Sequence, residues 1–127
     1  MIEIIVPTSN YDELKIFYKE KLLFVEVDDE LLIPNHEKVP VRIHLQEESD
    51  ANCLSYFRYE IEKNFLSYCD ILIRNDVSFD MIALDPGGYY FARFFDSDGN
   101  KLEVVCNSLD EDYKHIDPSE WGCYLGY

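Results

Sequence analysis

FFDSDGNKLEVV, from Phe94 to Val105, is the stretch that decides the fold. Two apolar-rich strands flank a turn made of Asp96, Ser97, Asp98, Gly99 and Asn100. Gly99 takes the positive φ of a tight hairpin at no steric cost, and Asn100 tolerates it better than most residues. After the turn, Leu102, Val104 and Cys106 alternate with Lys101, Glu103 and Val105, the pattern of a half-buried strand. Glu103 is a single carboxylate in the middle of that apolar strand. Burying an isolated carboxylate is costly, so Glu103 calls for a partner: a metal, a cation or hydrogen-bond donors. The alternative is a Glu that simply faces solvent. A calcium loop starting at Asp96 would carry a Glu at its twelfth position, which is Asn107 here, so that reading is set aside.

The chain has 127 residues, 47% of them hydrophobic, which suits one domain with a sizeable core. Ten Tyr and eight Phe favour strands and aromatic-lined cavities. No apolar run reaches the roughly 18 residues that would span a membrane, and the first residues lack the basic lead of a signal peptide. Cys53, Cys69, Cys106 and Cys123 have no CxxC spacing. They read as small hydrophobes in a reducing cytosol, so a cytoplasmic location is expected. The formal net charge of −15 argues against nucleic acid as a partner. It is compatible with attraction of a cationic ligand, and equally with a surface that merely keeps the protein dispersed.

Outward from the hairpin, the chain shows one grammar twice. Ile2 to Val6 read as a strand, Pro7 to Asn10 as a break, and Ser9 with Asp12 as a capping box. YDELKIFYKEKL then places Leu14, Phe17, Tyr18 and Leu22 on one helical face. Strands are predicted at 23–27, 30–33 and 39–46, with Asp28 and Asp29 in the first turn and Pro34, Asn35 and His36 in the second. The second half repeats the order: a strand at 54–61, Asn64 as N-cap, and a helix with Phe65, Cys69, Leu72 and Ile73 on one face. Strands follow at 78–84, 89–95 and 101–106. Asp85-Pro86-Gly87-Gly88 joins two strands and precedes no helix, so it reads as a turn and not as a phosphate loop. The order strand, helix, three strands occurs twice, displaced by a little over fifty residues.

The hairpin and the repeat together resemble the vicinal oxygen chelate superfamily of glyoxalases, bleomycin-resistance proteins, fosfomycin-resistance enzymes and extradiol dioxygenases. The last strand of that family typically reads Phe, any residue, Asp-Pro-Asp-Gly-Asn, any residue, a hydrophobe, then Glu. Phe94, Asp96, Asp98, Gly99, Asn100, Leu102 and Glu103 match, and Ser97 replaces the proline. NYDELKIFYKEKLLF resembles the family's first helix and following strand through Phe17, Tyr18, Leu22 and Phe24, with Leu23 in place of a glycine. The resemblance implies an α+β domain over residues 1–106. Two βαβββ modules, about 1–50 and 51–106, form a curved eight-stranded mixed sheet with a concave cavity. It also implies a homodimer. Residues 107–127 fall outside it, as an acidic extension that carries Tyr113, Trp121, Tyr124 and Tyr127.

In such modules one sheet face covers the helix and the other lines the cavity, and period-two alternation sorts the side chains. Glu3 and Ile5, then Arg42, His44 and Gln46, then Tyr56, Arg58 and Glu60, and finally Glu103 and Val105 are expected to face the cavity. Metal-dependent members of the family carry ligands at four such positions. The positions carried over are Glu3, His44, Tyr56 and Glu103. Glu3, His44 and Glu103 could hold a divalent ion (Mn, Fe, Ni or Zn), whereas a phenol such as Tyr56 is a weak ligand at neutral pH. His36 and His115 fall in predicted loops. The leading expectation is a glyoxalase- or bleomycin-resistance-like protein that binds a small, cationic or aromatic molecule without a complete metal site or cofactor. Its binding residues would be Tyr56, Arg58, Tyr89, Phe91 and Arg42. One alternative is a metal-dependent lyase or dioxygenase that uses Glu3, His44 and Glu103. A second is a protein-interaction module with a vestigial cavity.

Overall fold

The structure is a computed structural model that describes residues 2–34, 41–49 and 54–108. Its elements repeat one order. Strand β1 (Ile2–Thr8) leads into helix α1 (Tyr11–Ile16), which continues as a π-helical turn over Phe17–Lys21. β2 (Val25–Val27), β3 (Glu30–Leu32) and β4 (Val41–Glu47) complete the first module. β5 (Tyr56–Glu60), α2 (Phe65–Arg74), β6 (Ser78–Leu84), β7 (Tyr90–Phe95) and β8 (Lys101–Cys106) form the second. The eight strands hydrogen-bond as two mixed four-stranded sheets, ordered β1-β4-β3-β2 and β5-β8-β7-β6. In each sheet the first strand runs parallel to the last, the arrangement that a helical crossover permits, and the other pairs are antiparallel.

Local chemistry explains the turns. Asp28 and Asp29 have φ of 52° and 64°, so the two-residue β2–β3 connection is built from left-handed residues, matching the twist of a tight hairpin. In the β6–β7 connection, Asp85 accepts from the Gly87 and Gly88 amides, and Gly88 sits at φ 94°. Two N-terminal expectations need correction. Asn10 and Asn64 both occupy N-cap positions, but neither side chain makes a capping hydrogen bond, and the Ser9–Asp12 capping box does not form. Instead, the Asn10 amide donates to Thr8 Oγ1, and the Asn10 side chain reaches across to Asp98. Ile73, expected on the buried face of α2, is 38% exposed; Leu66 and Tyr68 join Phe65, Cys69 and Leu72 in the core instead. The turn expected at Asn35 and His36, the aromatic tail and His115 lie outside the described residues.

Leu14, Phe17, Tyr18 and Leu22 are all buried, as their spacing predicts. One core serves both modules. A row of rings runs through it from Tyr18 to Phe24 (centroids 5.2 Å), Phe24 to Tyr59 (5.1 Å) and Tyr59 to Phe94 (6.4 Å), each pair edge to face. The polar tips of these buried rings are paired. Tyr68 donates to the Leu22 carbonyl at 2.7 Å, so the 2.6 Å contact between Tyr59 and Tyr68 uses the Tyr59 proton. Burial pushes the Tyr59 phenol well above its ordinary value, and the Tyr68 phenol too.

The hairpin that decides the fold also locks the modules together. Asp96 is 6% exposed, and its carboxylate accepts from Tyr18 Oη (2.7 Å), the Asn100 side chain (2.8 Å) and the Asp98 and Asn100 amides. Asp98 receives Thr8 Oγ1 at 2.6 Å and the Asn10 side chain at 3.2 Å. Asn100 Oδ1 accepts the Ser55 amide at 2.7 Å. The carboxylates of this turn are therefore spent on a latch between the second module's last hairpin and the first module's β1, Asn10 and π-helical turn.

Candidate ligand-binding face

The face of the second sheet away from its helix is a grid set by register. In the first row Tyr56 on β5 stands beside Lys101 on β8, which stands beside Phe95 on β7. The next row is Arg58, Glu103 and Arg93, and the next is Glu60, Val105 and Phe91. Side chains that are partners in register share a face, so these nine form one surface.

Glu103 is its centre. It is 1% exposed, and both oxygens are taken. Oε1 receives Arg58 Nη2 at 2.6 Å. Oε2 receives Arg93 Nη2 at 3.1 Å, Arg93 Nε at 3.2 Å and Tyr56 Oη at 3.2 Å. The partner that a buried carboxylate requires is thus a pair of guanidinium groups and a phenol. Burial disfavours the Arg93 charge, but the Glu103 carboxylate and Tyr56 together outweigh that cost and hold the guanidinium above its ordinary value. Arg93 Nη1 also faces Asp80 at 3.7 Å, at a bulge in β6. The Arg58 guanidinium lies 5.7 Å from the Tyr89 ring centroid, and that of Arg93 lies 5.7 Å from the Phe91 ring. Lys101 Nζ lies 5.7 Å from both the Tyr56 and Phe95 rings.

Of the residues singled out from sequence, Tyr56, Arg58, Tyr89, Phe91 and Glu103 come together here. Arg42, Glu3 and His44 stand on the first sheet, where Glu3 is in register with Arg42 and Ile5 with His44. Arg42 Nη1 lies 3.8 Å from Glu30 Oε2. Among the described residues no three His, Cys, Asp or Glu side chains form a metal-binding group. The donors around Glu103 do not fit a divalent ion: it would have to displace or sit against two fixed positive charges within 3.2 Å of the carboxylate. Two contributors are new, Arg93 and Lys101. Arg93 was within reach of the sequence, since alternation on the strand that carries Tyr89 and Phe91 puts Arg93 on the same face.

Beside Arg58 a cleft of about 260 Å³ opens between the modules. Ile4, Ile33 and Val41 line it from the first module, and Arg58, Tyr59 and Val105 from the second.

The fold has counterparts among solved structures. An integron cassette protein, HFX_CASS4, from the mobile metagenome of a Halifax Harbour sewage outfall superposes with a TM-score of 0.72 at 21% identity, covering 84% of this chain and 97% of that one. A member of the glyoxalase/bleomycin resistance protein/dioxygenase superfamily from Sphaerobacter thermophilus gives 0.70 at 18% identity, over 84% and 95%. This chain carries the vicinal oxygen chelate fold. TnmS3, an antibiotic-binding protein from a Streptomyces species, shares that fold with a TM-score of 0.70 at 19% identity, over 85% and 96%. No family model and no curated protein sequence matches the chain.

Within the vicinal oxygen chelate fold, the closing Glu of the last strand is a position that the family resemblance marks as a metal ligand, and here Arg58 and Arg93 hold it. Among the described residues no helix is long and apolar enough to cross a membrane.

Proposed function

We propose that the chain binds a small organic molecule on the open face of its second sheet, without a metal ion. The observation that carries this reading is Glu103, buried with both oxygens committed to Arg58, Arg93 and Tyr56. The carboxylate acts as a strut that aims two guanidinium groups, leaving Tyr56 and Tyr89 as planar surfaces for an aromatic body. The antibiotic-binding role of TnmS3 on the same fold supports a sequestering protein. We further propose a homodimer, in which the first sheet of a second copy supplies the other wall with Arg42, His44 and Glu3. The exposure of Ile5 (52%), Leu54 (68%) and Tyr56 (57%) supports such a cover.

Thermal-shift screening of tag-free protein against planar aromatic compounds, with and without chelator, tests the reading. A ligand at about a hundred times its Kd adds about 2.7 kcal/mol of stability. The stabilisation is expected to survive chelator and to vanish in Tyr56→Ala with Arg58→Ala. Stabilisation that needs added Mn²⁺, Ni²⁺ or Zn²⁺ would favour a metal-dependent lyase or dioxygenase instead.

A further inference from the structure

Resting on that reading, the geometry points to the ligand's charge: the second sheet takes an organic oxyanion carried on a small planar apolar body. A net charge of −15 would by itself favour a cation. Surface charges beyond about 8–10 Å are largely screened, however, so the groups at the site decide. In the first two of the three rows, Arg58, Arg93 and Lys101 stand with the single carboxylate of Glu103. Asp80 stands at the margin, 3.7 Å from Arg93. Glu60 stands in the neighbouring row and lines the cleft beside Arg58, so three cations face two carboxylates, one of them committed to the arginines. Lys101 makes no ion pair among the described residues. Arg58 commits one nitrogen to Glu103, and its side chain is 53% exposed. A guanidinium has five N–H donors, so Arg58 keeps a planar edge free to meet a carboxylate or phosphate. A cationic ligand would meet three positive groups and the committed Glu103 carboxylate, with Glu60 alone to oppose them.

The apolar body has a seat beside the same residue. Arg58 and Glu60 stand at the cleft between the modules, whose other walls are mostly apolar and include Ile4, Ile33, Val41 and Val105. Its volume of about 260 Å³ falls just under the roughly 300–1,000 Å³ of drug-sized pockets, so the body is small.

Three probes with one ring system separate the possibilities: 2-naphthoate, 2-naphthylmethanol and 2-naphthylmethylammonium. They are titrated into tag-free full-length protein by calorimetry, with the arginine Nε–H resonances followed by NMR. Naphthoate is expected to bind about tenfold tighter than the alcohol, since charge-assisted hydrogen bonds exceed neutral ones by that order. The ammonium is expected to be the weakest, and the Arg58 signal to move. Lys101→Gln should weaken naphthoate several-fold and leave the alcohol unchanged, and Lys101→Arg should restore it. If the alcohol or the ammonium binds as tightly as naphthoate, the oxyanion assignment is overturned while the small-molecule site stands. If none of the three moves the Arg58 or Arg93 signals, the site itself is refuted.

Discussion

Leu23 holds φ at 63°, in the left-handed region that a leucine occupies at a cost of about 1–2 kcal/mol. It follows the π-helical turn, where the Phe24 amide returns to the Tyr18 carbonyl at 2.9 Å and reverses the chain into β2. The same position is the one at which the resemblance expects glycine, so a departure visible in sequence becomes a strained residue in the structure. The strain separates cleanly from side-chain packing when two truncations are compared. Leu23→Gly should be more stable than Leu23→Ala by about 1 kcal/mol in urea unfolding, the reverse of the ordinary order. An alanine variant equal to or better than glycine would show that the turn carries no such strain. Glu103 was legible at this scale as a carboxylate in need of a partner. Arg58 was legible as one such partner, on the same face; that Arg93 joins it as a second depends on the register of β7 against β8, which the folded sheet fixes.

Helices and strands were legible where one face is buried. Leu14, Phe17, Tyr18 and Leu22 mark α1 and its π-helical extension, but periodicity does not distinguish α from π winding over five residues. The β7–β8 hairpin was legible as a turn; its role as a latch was not, since that depends on Tyr18 and Thr8, far away in sequence. Removing the acceptor tests the latch. Asp96→Ala leaves the buried Tyr18 hydroxyl and the Asn100 groups without their partner, which should cost about 3 kcal/mol in unfolding free energy. A loss well under 1 kcal/mol would contradict the latch. The latch also has a pH signature. Burial pushes the Asp96 carboxyl above its ordinary 3.8, against the downward pull of Asn100, Tyr18 and the backbone amides. The folded chain therefore holds that proton more tightly than the unfolded chain. The resulting stability is complete below 3.8 and is lost as pH rises through the folded value. The stability gap between wild type and Asp96→Asn should accordingly widen as pH is lowered through the carboxylate range toward about 4.

For the molecule as a whole, the repeat of strand, helix and three strands was legible and gives two sheets of identical order. How the modules join was not, because Phe24 on Tyr59, Tyr68 on the Leu22 carbonyl and Tyr18 on Asp96 are single side-chain meetings with no periodic signature. The net charge was equally uninformative about the site: an acidic chain presents Arg58, Arg93 and Lys101 together on one face. The central claim is that Arg58 and Arg93 occupy Glu103 and make the binding face independent of metal. Calorimetric titration of Mn²⁺, Ni²⁺ and Zn²⁺ into chelator-treated, tag-free protein tests it most directly. The account predicts no saturable one-to-one binding of these ions, and an unchanged melting temperature when they are added. One ion bound per chain in the micromolar range, abolished by Glu103→Gln, would contradict it.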